Sequence, residues 1–189
     1  MNRIVFAVSA LVTVLAPLTL AAQKVQISAN AMGIMCLGTL NAEVDYALSR
    51  HWSLGLSGKY NPFSFQRPFT EDKVQMHLRQ RSVAAVARWW PWHIYSGWWI
   101  AGKAQWQEYN MGGILSDNTE EGQKYGGGIT AGYSHMINSH LNVELGLGVW
   151  GGMKQYTVYA CPTCGTKLSD GVKSFVLPND LIIALSYVF

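Results

Sequence analysis

The segment Leu141-Asn142-Val143-Glu144-Leu145-Gly146-Leu147-Gly148-Val149-Trp150 alternates without a break. Leu141, Val143, Leu145, Leu147 and Val149 fall on one side, and Asn142, Glu144, Gly146 and Gly148 on the other. Successive side chains of a strand point to opposite faces, so this reads as a strand with one apolar and one polar face. Its length matches the ~9–11 residues that a tilted strand needs to cross a bilayer.

The same period recurs along the chain. Leu40, Ala42, Val44, Tyr46 and Leu48 oppose Asn41, Glu43, Asp45 and Ala47. Trp52, Leu54, Leu56 and Tyr60 oppose Ser53, Ser57, Lys59 and Asn61, and Trp98, Ile100, Ala104 and Trp106 oppose Lys103, Gln105 and Gln107. The chain closes on Leu181, Ile183, Leu185, Tyr187 and Phe189. Weaker alternation predicts strands over Gln26–Leu37, Leu78–Trp90 and Tyr125–Met136, which brings the expected number to eight.

Composition agrees only after one segment is set aside. Of 189 residues, 49% are hydrophobic and 13% charged, with a net charge of +3; ordinary soluble domains carry roughly 25% charged residues. The mean hydropathy of +0.08 suggests helical membrane spans, but the surplus lies in residues 1–22, whose single charge is Arg3. A basic start, an apolar stretch over Ile4–Leu20 and the small residues Ala21 and Ala22 predict a cleaved signal peptide. The expected organisation is a signal peptide over 1–22 and a single domain over 23–189. The remainder has no apolar run near the ~20 residues of a spanning helix.

The predicted connections alternate. Arg50-His51-Trp52, Pro91–Ser96 and Asn138-Ser139-His140 are short, whereas Pro62–Lys73, Asn110–Gln123 and Tyr156–Ser174 are long and carry much of the charge. Short turns at one end and long loops at the other, with an even number of antiparallel strands, is the pattern of an outer-membrane barrel. The expected fold is all-β: an eight-stranded antiparallel up-and-down transmembrane β-barrel of OmpA/OmpX-like architecture. A soluble lipocalin-like barrel also alternates, but it needs a charged exterior that this chain lacks. Trp89, Trp90, Trp92, Trp98 and Trp99 crowd one short turn, as an interfacial aromatic girdle would. The last strand is expected to close against the first, leaving no sheet edge.

The polar face carries Glu43, Asp45 and Glu144 against Lys59, Arg88 and Lys103, three of each sign. Buried charges must be paired, so these six are expected to form a neutral network in a filled interior, which excludes an open porin. A hairpin turning at His51 sets Glu43 opposite Lys59. Arg79 and Arg81 share the outward parity of Val83, Ala85 and Ala87. They are expected above the bilayer, with Glu108 facing Arg79, and could meet lipid phosphates together with Arg67 and Lys73.

Cys161-Pro162-Thr163-Cys164 lies in the last long loop. A local disulfide, a redox pair and a zinc site sharing Cys36 or His77 are all open readings; the disulfide suits an oxidising compartment. Of the five histidines, His51, His93, His135 and His140 fall at short turns. Ser134-His135 and Ser139-His140 are adjacent in strand or turn, so they do not build a shared catalytic site. Gly126-Gly127-Gly128 precedes no helix and is no phosphate loop; in a strand it lets aromatic neighbours pack closely. No catalytic residue, cofactor or metal is expected.

The stretches LNAEVDYALSRHWSLGLSGKYNPFSF (40–65), VARWWPW (86–92), KYGGGITAGYSHMI (124–137), LNVELGLGVWGG (141–152), YACPTCGTKL (159–168) and the terminal ALSYVF resemble a domain-of-unknown-function family. It is an uncharacterised (DUF3575-like) family of small outer-membrane β-barrel proteins from Gram-negative anaerobes. The resemblance implies an outer-membrane location and a surface-associated role, often beside fimbrial or other surface proteins. It supplies no catalytic residue. The expected role is structural or accessory, with loops that bind a surface or envelope partner. A part in fimbrial assembly and a lipid-acting enzyme stand as alternatives. Outer-membrane lipid is an expected partner, as is the barrel assembly machinery, through the strand that ends in Phe189. Nucleic acid is not expected.

Overall fold

The computed structural model describes residues 24–35, 38–66, 75–113, 118–161 and 165–189. The expected signal peptide, Cys36, Arg67, Lys73 and Cys164 lie outside these. The chain forms β1 (Val25–Asn30), α1 (Ala31–Met35), β2 (Leu40–Ala47), β3 (Trp52–Asn61) and β4 (Ser64–Gln66). It continues with β5 (Gln75–Trp89), β6 (Gly97–Gly112), β7 (Thr119–Met136), β8 (Leu141–Tyr159) and β9 (Lys167–Val188). Every pairing is antiparallel, and the strand order is β3-β2-β1-β9-β8-β7-β6-β5-β4. Pairing of β3 with β5 closes eight strands into a barrel, and β4 is a three-residue addition to β5.

The seam expected between first and last strands is present: Gln26 to Asn30 pair with Val188 to Ala184. The first strand is shorter than the alternation of 26–37 predicts. It ends at Asn30, whose side chain accepts from the Met32 amide at 3.0 Å and turns the chain into α1. The same side chain continues the ladder by one step, accepting from Ile183 N at 3.2 Å and donating to Leu181 O at 3.1 Å.

The three long loops are the larger correction. Pairing carries β6 up to Gly112 and β7 down from Thr119, and it joins Tyr156 to Gly171 and Thr157 to Asp170 across β8 and β9. Most of these residues are polar, and the few apolar ones, such as Met111, Val158, Leu168 and Val172, make no sustained apolar face. Hydropathic alternation therefore stops where the backbone ladder does not. A register shift between Gly148 and Val149 puts one extra residue, Asn179, into β9. A bulge of this kind shifts the inward parity of β9 by one residue.

The outside of the barrel is apolar between two aromatic rims. Leu147 is 69% exposed and Ile129 64%, and Leu54, Leu56, Val83, Leu145 and Leu185 are also about half exposed or more. Tyr60, Trp106 and Tyr125 stand at the upper rim; Tyr46, Trp52, Trp89, Trp98, Tyr133 and Tyr187 stand at the lower. Trp52 pairs with Trp89 and Trp98 with Tyr133. Trp90 and Trp99, expected in the girdle, are instead 0% and 1% exposed. Each is the second Trp of a Trp-Trp pair, and period two sends one ring out and the next in.

Candidate functional site

Inside the lower barrel, Trp90, Tyr95 and Trp99 form an apolar plug with Val86, Ala101 and Val188. Tyr95 enters from the turn after β5 with a φ of 61°, a conformation uncommon for a non-glycine residue. Its carbonyl accepts from Ser134 Oγ at 3.1 Å and Asn142 Nδ2 at 2.7 Å, and its hydroxyl donates to Lys24 O at 3.0 Å. Those bonds, with one from the same hydroxyl to Asp45 O at 3.2 Å, tie the turn to four other segments and hold it in place. The bulky rings fit because their neighbours are small. A Cβ on Gly132 would stand 2.5 Å from the Trp99 ring, and one on Gly128 would stand 2.7 Å from Trp150 Cβ. Of the Gly126–Gly128 run, only Gly128 packs against an aromatic residue; Gly126 faces the backbone of Gly151 and Gly152, and Gly127 that of Lys103.

Arg88 lies directly above the plug, 4.6 Å over the Trp99 ring. Its guanidinium meets all three acids of the predicted interior network. Nη1 donates to Glu144 at 2.8 Å, Nη2 bonds Glu43, and Nη2 lies 3.8 Å from Asp45. Glu144, 0% exposed, also accepts from Gln26 and from Ser186 Oγ at 2.9 Å. Asp45 is 0% exposed, and neither of its carboxylate oxygens has a hydrogen-bond partner.

Lys59 and Lys103 line a cavity of about 70 Å³ next to Arg88, Glu43 and Glu144. The six residues thus share one interior, with Arg88 bonded to Glu43 and Glu144 and 3.8 Å from Asp45. The expected Glu43–Lys59 opposition is off by two residues: Glu43 pairs with Ser57 and Lys59 with Asn41. The turn between β2 and β3 occupies residues 48–51, which sets this register.

Two residues also separate the expected and observed partners of Glu108, which faces Arg81 and not Arg79. Arg81 forms an ion pair with Glu108 and lies 5.7 Å over the Trp106 ring. Arg79 Nε donates to Ser64 Oγ at 3.1 Å. Both arginines are exposed; Arg81 is level with Tyr60 of the upper aromatic rim, and Arg79 lies just above it. Three of the five histidines bind backbone or amide groups: His51 Nδ1 contacts Trp90 O and His140 Nδ1 contacts Val188 O, each at 2.9 Å. His77 Nε2 contacts Asn110 Oδ1 at 2.7 Å. No group of three metal-ligating side chains occurs among the described residues.

A second polar cluster lies above the rim, in strand extensions that hydropathy reads as loop. Lys124 pairs with Lys154 and Lys154 with Lys173, across β7, β8 and β9. All three have inward parity. Lys124 Nζ is 4.1 Å from the Tyr109 ring centroid and 5.9 Å from that of Phe175. Tyr156 lies between Lys154, at 4.8 Å, and Lys173, at 5.3 Å.

Glu120 accepts from Lys154 Nζ at 2.8 Å and from the Tyr109 hydroxyl at 2.6 Å. Burial works to raise the Glu120 carboxyl, but these two bonds and the nearby Lys124 outweigh it and hold it below its ordinary 4.5. A cavity of about 850 Å³ adjoins the cluster, lined in part by Tyr109, Tyr156, Gln80 and Asn61. The sequence signal for this region was its glycine and polar alternation, which carries no hydropathic contrast.

No curated protein matches the chain. Among solved structures, it is similar to the N-terminal β-barrel domain of Pseudomonas aeruginosa OprF, known from a crystal structure. The two share 15% identity over 88% of this chain and 98% of that one, with a TM-score of 0.47. The sequence model described as Protein of unknown function (DUF3575) matches residues 7–189, and the chain belongs to that family.

Proposed function

We propose that this protein is an outer-membrane barrel with a filled interior, serving a structural or accessory role at the cell surface. The uncharged, exposed apolar belt between two aromatic rims carries the reading. Soluble monomers rarely expose a contiguous apolar patch above a few hundred Å², and a lipid-facing wall flanked by aromatic girdles is what a bilayer requires. The Trp90–Tyr95–Trp99 plug and the Arg88 cluster support a wall held by internal packing in place of an open pore. In this reading the terminal strand ending in Phe189 is the element read by the barrel assembly machinery. Arg79 and Arg81, at and just above the rim, are placed to meet lipid phosphates.

The strand extensions of β5 to β9 supply the presenting surface. β8 has 19 residues and β9 has 22, about twice what a crossing needs. Binding of a surface or envelope partner, including a part in fimbrial assembly, belongs to this end. A Cys161–Cys164 disulfide would pin its last loop. The reading assigns no catalytic residue. The test is heat-modifiable gel mobility of the membrane fraction, with cysteine labelling of intact cells at Asn118 and Asn138. Mobility that shifts on boiling and labelling at Asn118 alone are expected. Protein that is soluble and unshifted by heat overturns the reading, and labelling at Asn138 alone inverts the orientation. Deleting residues 160–166 then tests the partner: an adhesion or assembly defect with an intact barrel is the expected result.

A further inference from the structure

The inward lysines of the mouth have too few anions. Lys124, Lys154 and Lys173 stand directly opposite one another on three neighbouring strands, and like charges so placed repel. Glu120 answers one of them, Lys154. Glu121 is engaged elsewhere, accepting from Asn110 at 3.1 Å and Tyr159 at 2.8 Å, and Asp170 pairs with Lys167 at 3.2 Å.

Lys124 lies against the rings of Tyr109 and Phe175, with Glu120 nearby but bonded to Lys154, and Lys173 lies against the ring of Tyr156. An aromatic face attracts a cation but does not neutralise it. Lys124 is nevertheless only 8% exposed. Three inward ammonium groups and one inward carboxylate leave two positive charges in excess below a cavity of about 850 Å³, which they adjoin through Tyr109 and Tyr156 and whose own lining carries Arg79 and Arg81 against Glu108, Glu121 and Asp170; its volume is within the size range of small-ligand sites.

We propose that the mouth of this barrel binds a small, soluble phosphate monoester. Such a group carries roughly −1.5 to −2 at neutral pH, the charge that balances the ladder. Its oxygens could each take a bond from the rotatable lysine donors. The organic part would lie against Tyr109 and Tyr156, near the amides of Asn61 and Gln80. Inward parity turns the lysines from the outer face, so the ligand comes from solution and not from a bilayer headgroup. This inference goes beyond the surface role proposed above and requires no protein partner.

The test uses the full mature protein extracted in detergent. Its unfolding temperature is followed against inorganic phosphate, glucose 6-phosphate and glucose at matched ionic strength. Phosphate and glucose 6-phosphate are expected to raise it saturably, and glucose is not. Lys154→Gln and Lys173→Gln are each expected to weaken the effect at least about tenfold. Without ligand, Lys173→Gln is expected to unfold at the same or a higher temperature, because it relieves repulsion at an exposed position. No saturable effect from either phosphate compound, or an effect unchanged in both variants, overturns the proposal. Stabilisation seen only in nanodiscs containing phosphatidic acid also overturns it, since the lysines would then be meeting lipid headgroups.

Discussion

Arg88 decides which interior carboxylates matter. Glu144 accepts bonds from Arg88, Gln26 and Ser186, whereas Asp45 has Arg88 no nearer than 3.8 Å and no hydrogen-bond partner. Removing one member of a satisfied buried pair costs about 3–5 kcal/mol, while removing a buried charge that accepts no hydrogen bond and meets its cation only at 3.8 Å also removes its desolvation penalty. Glu144→Gln should therefore lower the urea midpoint of the detergent-solubilised protein, and Asp45→Asn should leave it unchanged or raise it. Equal losses in both would show that the three acids act as one unit.

Gly132 gives a steric test of the same interior. Its Cβ would meet Leu145 O at 2.4 Å and the Trp99 ring at 2.5 Å, and overpacking of this kind costs about 1–3 kcal/mol. Gly132→Ala should unfold earlier, whereas Gly102→Ala, with nothing within 4 Å of its Cβ, should not. Glu120 supplies a pH dependence. Its folded value is depressed, so its contribution is complete above the unfolded value of 4.5 and is lost as pH falls through the lower folded value. Glu120→Gln should flatten the acid limb of the stability profile below pH 4.5 and leave the alkaline side alone. The interior residues were legible from parity, but their partners were not. Ion pairing depends on register, and a hairpin whose turn is centred one residue off slides the register by two, which changes every opposition while preserving every face.

The strands divide into a belt and an extension. In β8, Leu145 and Leu147 lie in the belt, and Gln155 lies above the rim with the same outward parity. Arginine on a lipid face costs about 2–4 kcal/mol at the midplane and about 0–1 near the interface. Leu147→Arg should therefore reduce the folded, heat-modifiable fraction sharply, and Gln155→Arg should not. Equal tolerance at both positions would mean that water covers the belt. The alternation of Leu141–Trp150 was readable because one face meets an apolar medium and the other does not. From Met153 to Tyr159 that contrast ends, so the continued pairing of β8 with β9 was invisible to hydropathy. Helix α1 was missed for a related reason: one Asn side chain ends β1, and the apolar residues beyond it still mimic a strand.

Closure of the whole barrel rests on the shortest strand in its ring, β1, which joins β2 by four residue pairs and β9 by five. Deleting Val25–Asn30 would leave β2 and β9 as open edges, which lipid does not tolerate and which otherwise pair with other chains. The truncated protein should be found in aggregates without heat-modifiable mobility; a folded, shifted band would show that β2 can replace β1 at the seam. The number of crossing strands, the polarity of each face and the positions of the short turns were all written in local alternation, because each depends only on neighbouring residues and the medium they meet. The choice of Arg88 as the common partner of three acids needed the closed barrel. So did the inward turn of Trp90 and Trp99 onto glycines and the meeting of Lys124, Lys154 and Lys173. Those residues lie far apart in the chain, and they come together only through register and closure, which hydropathic period does not encode.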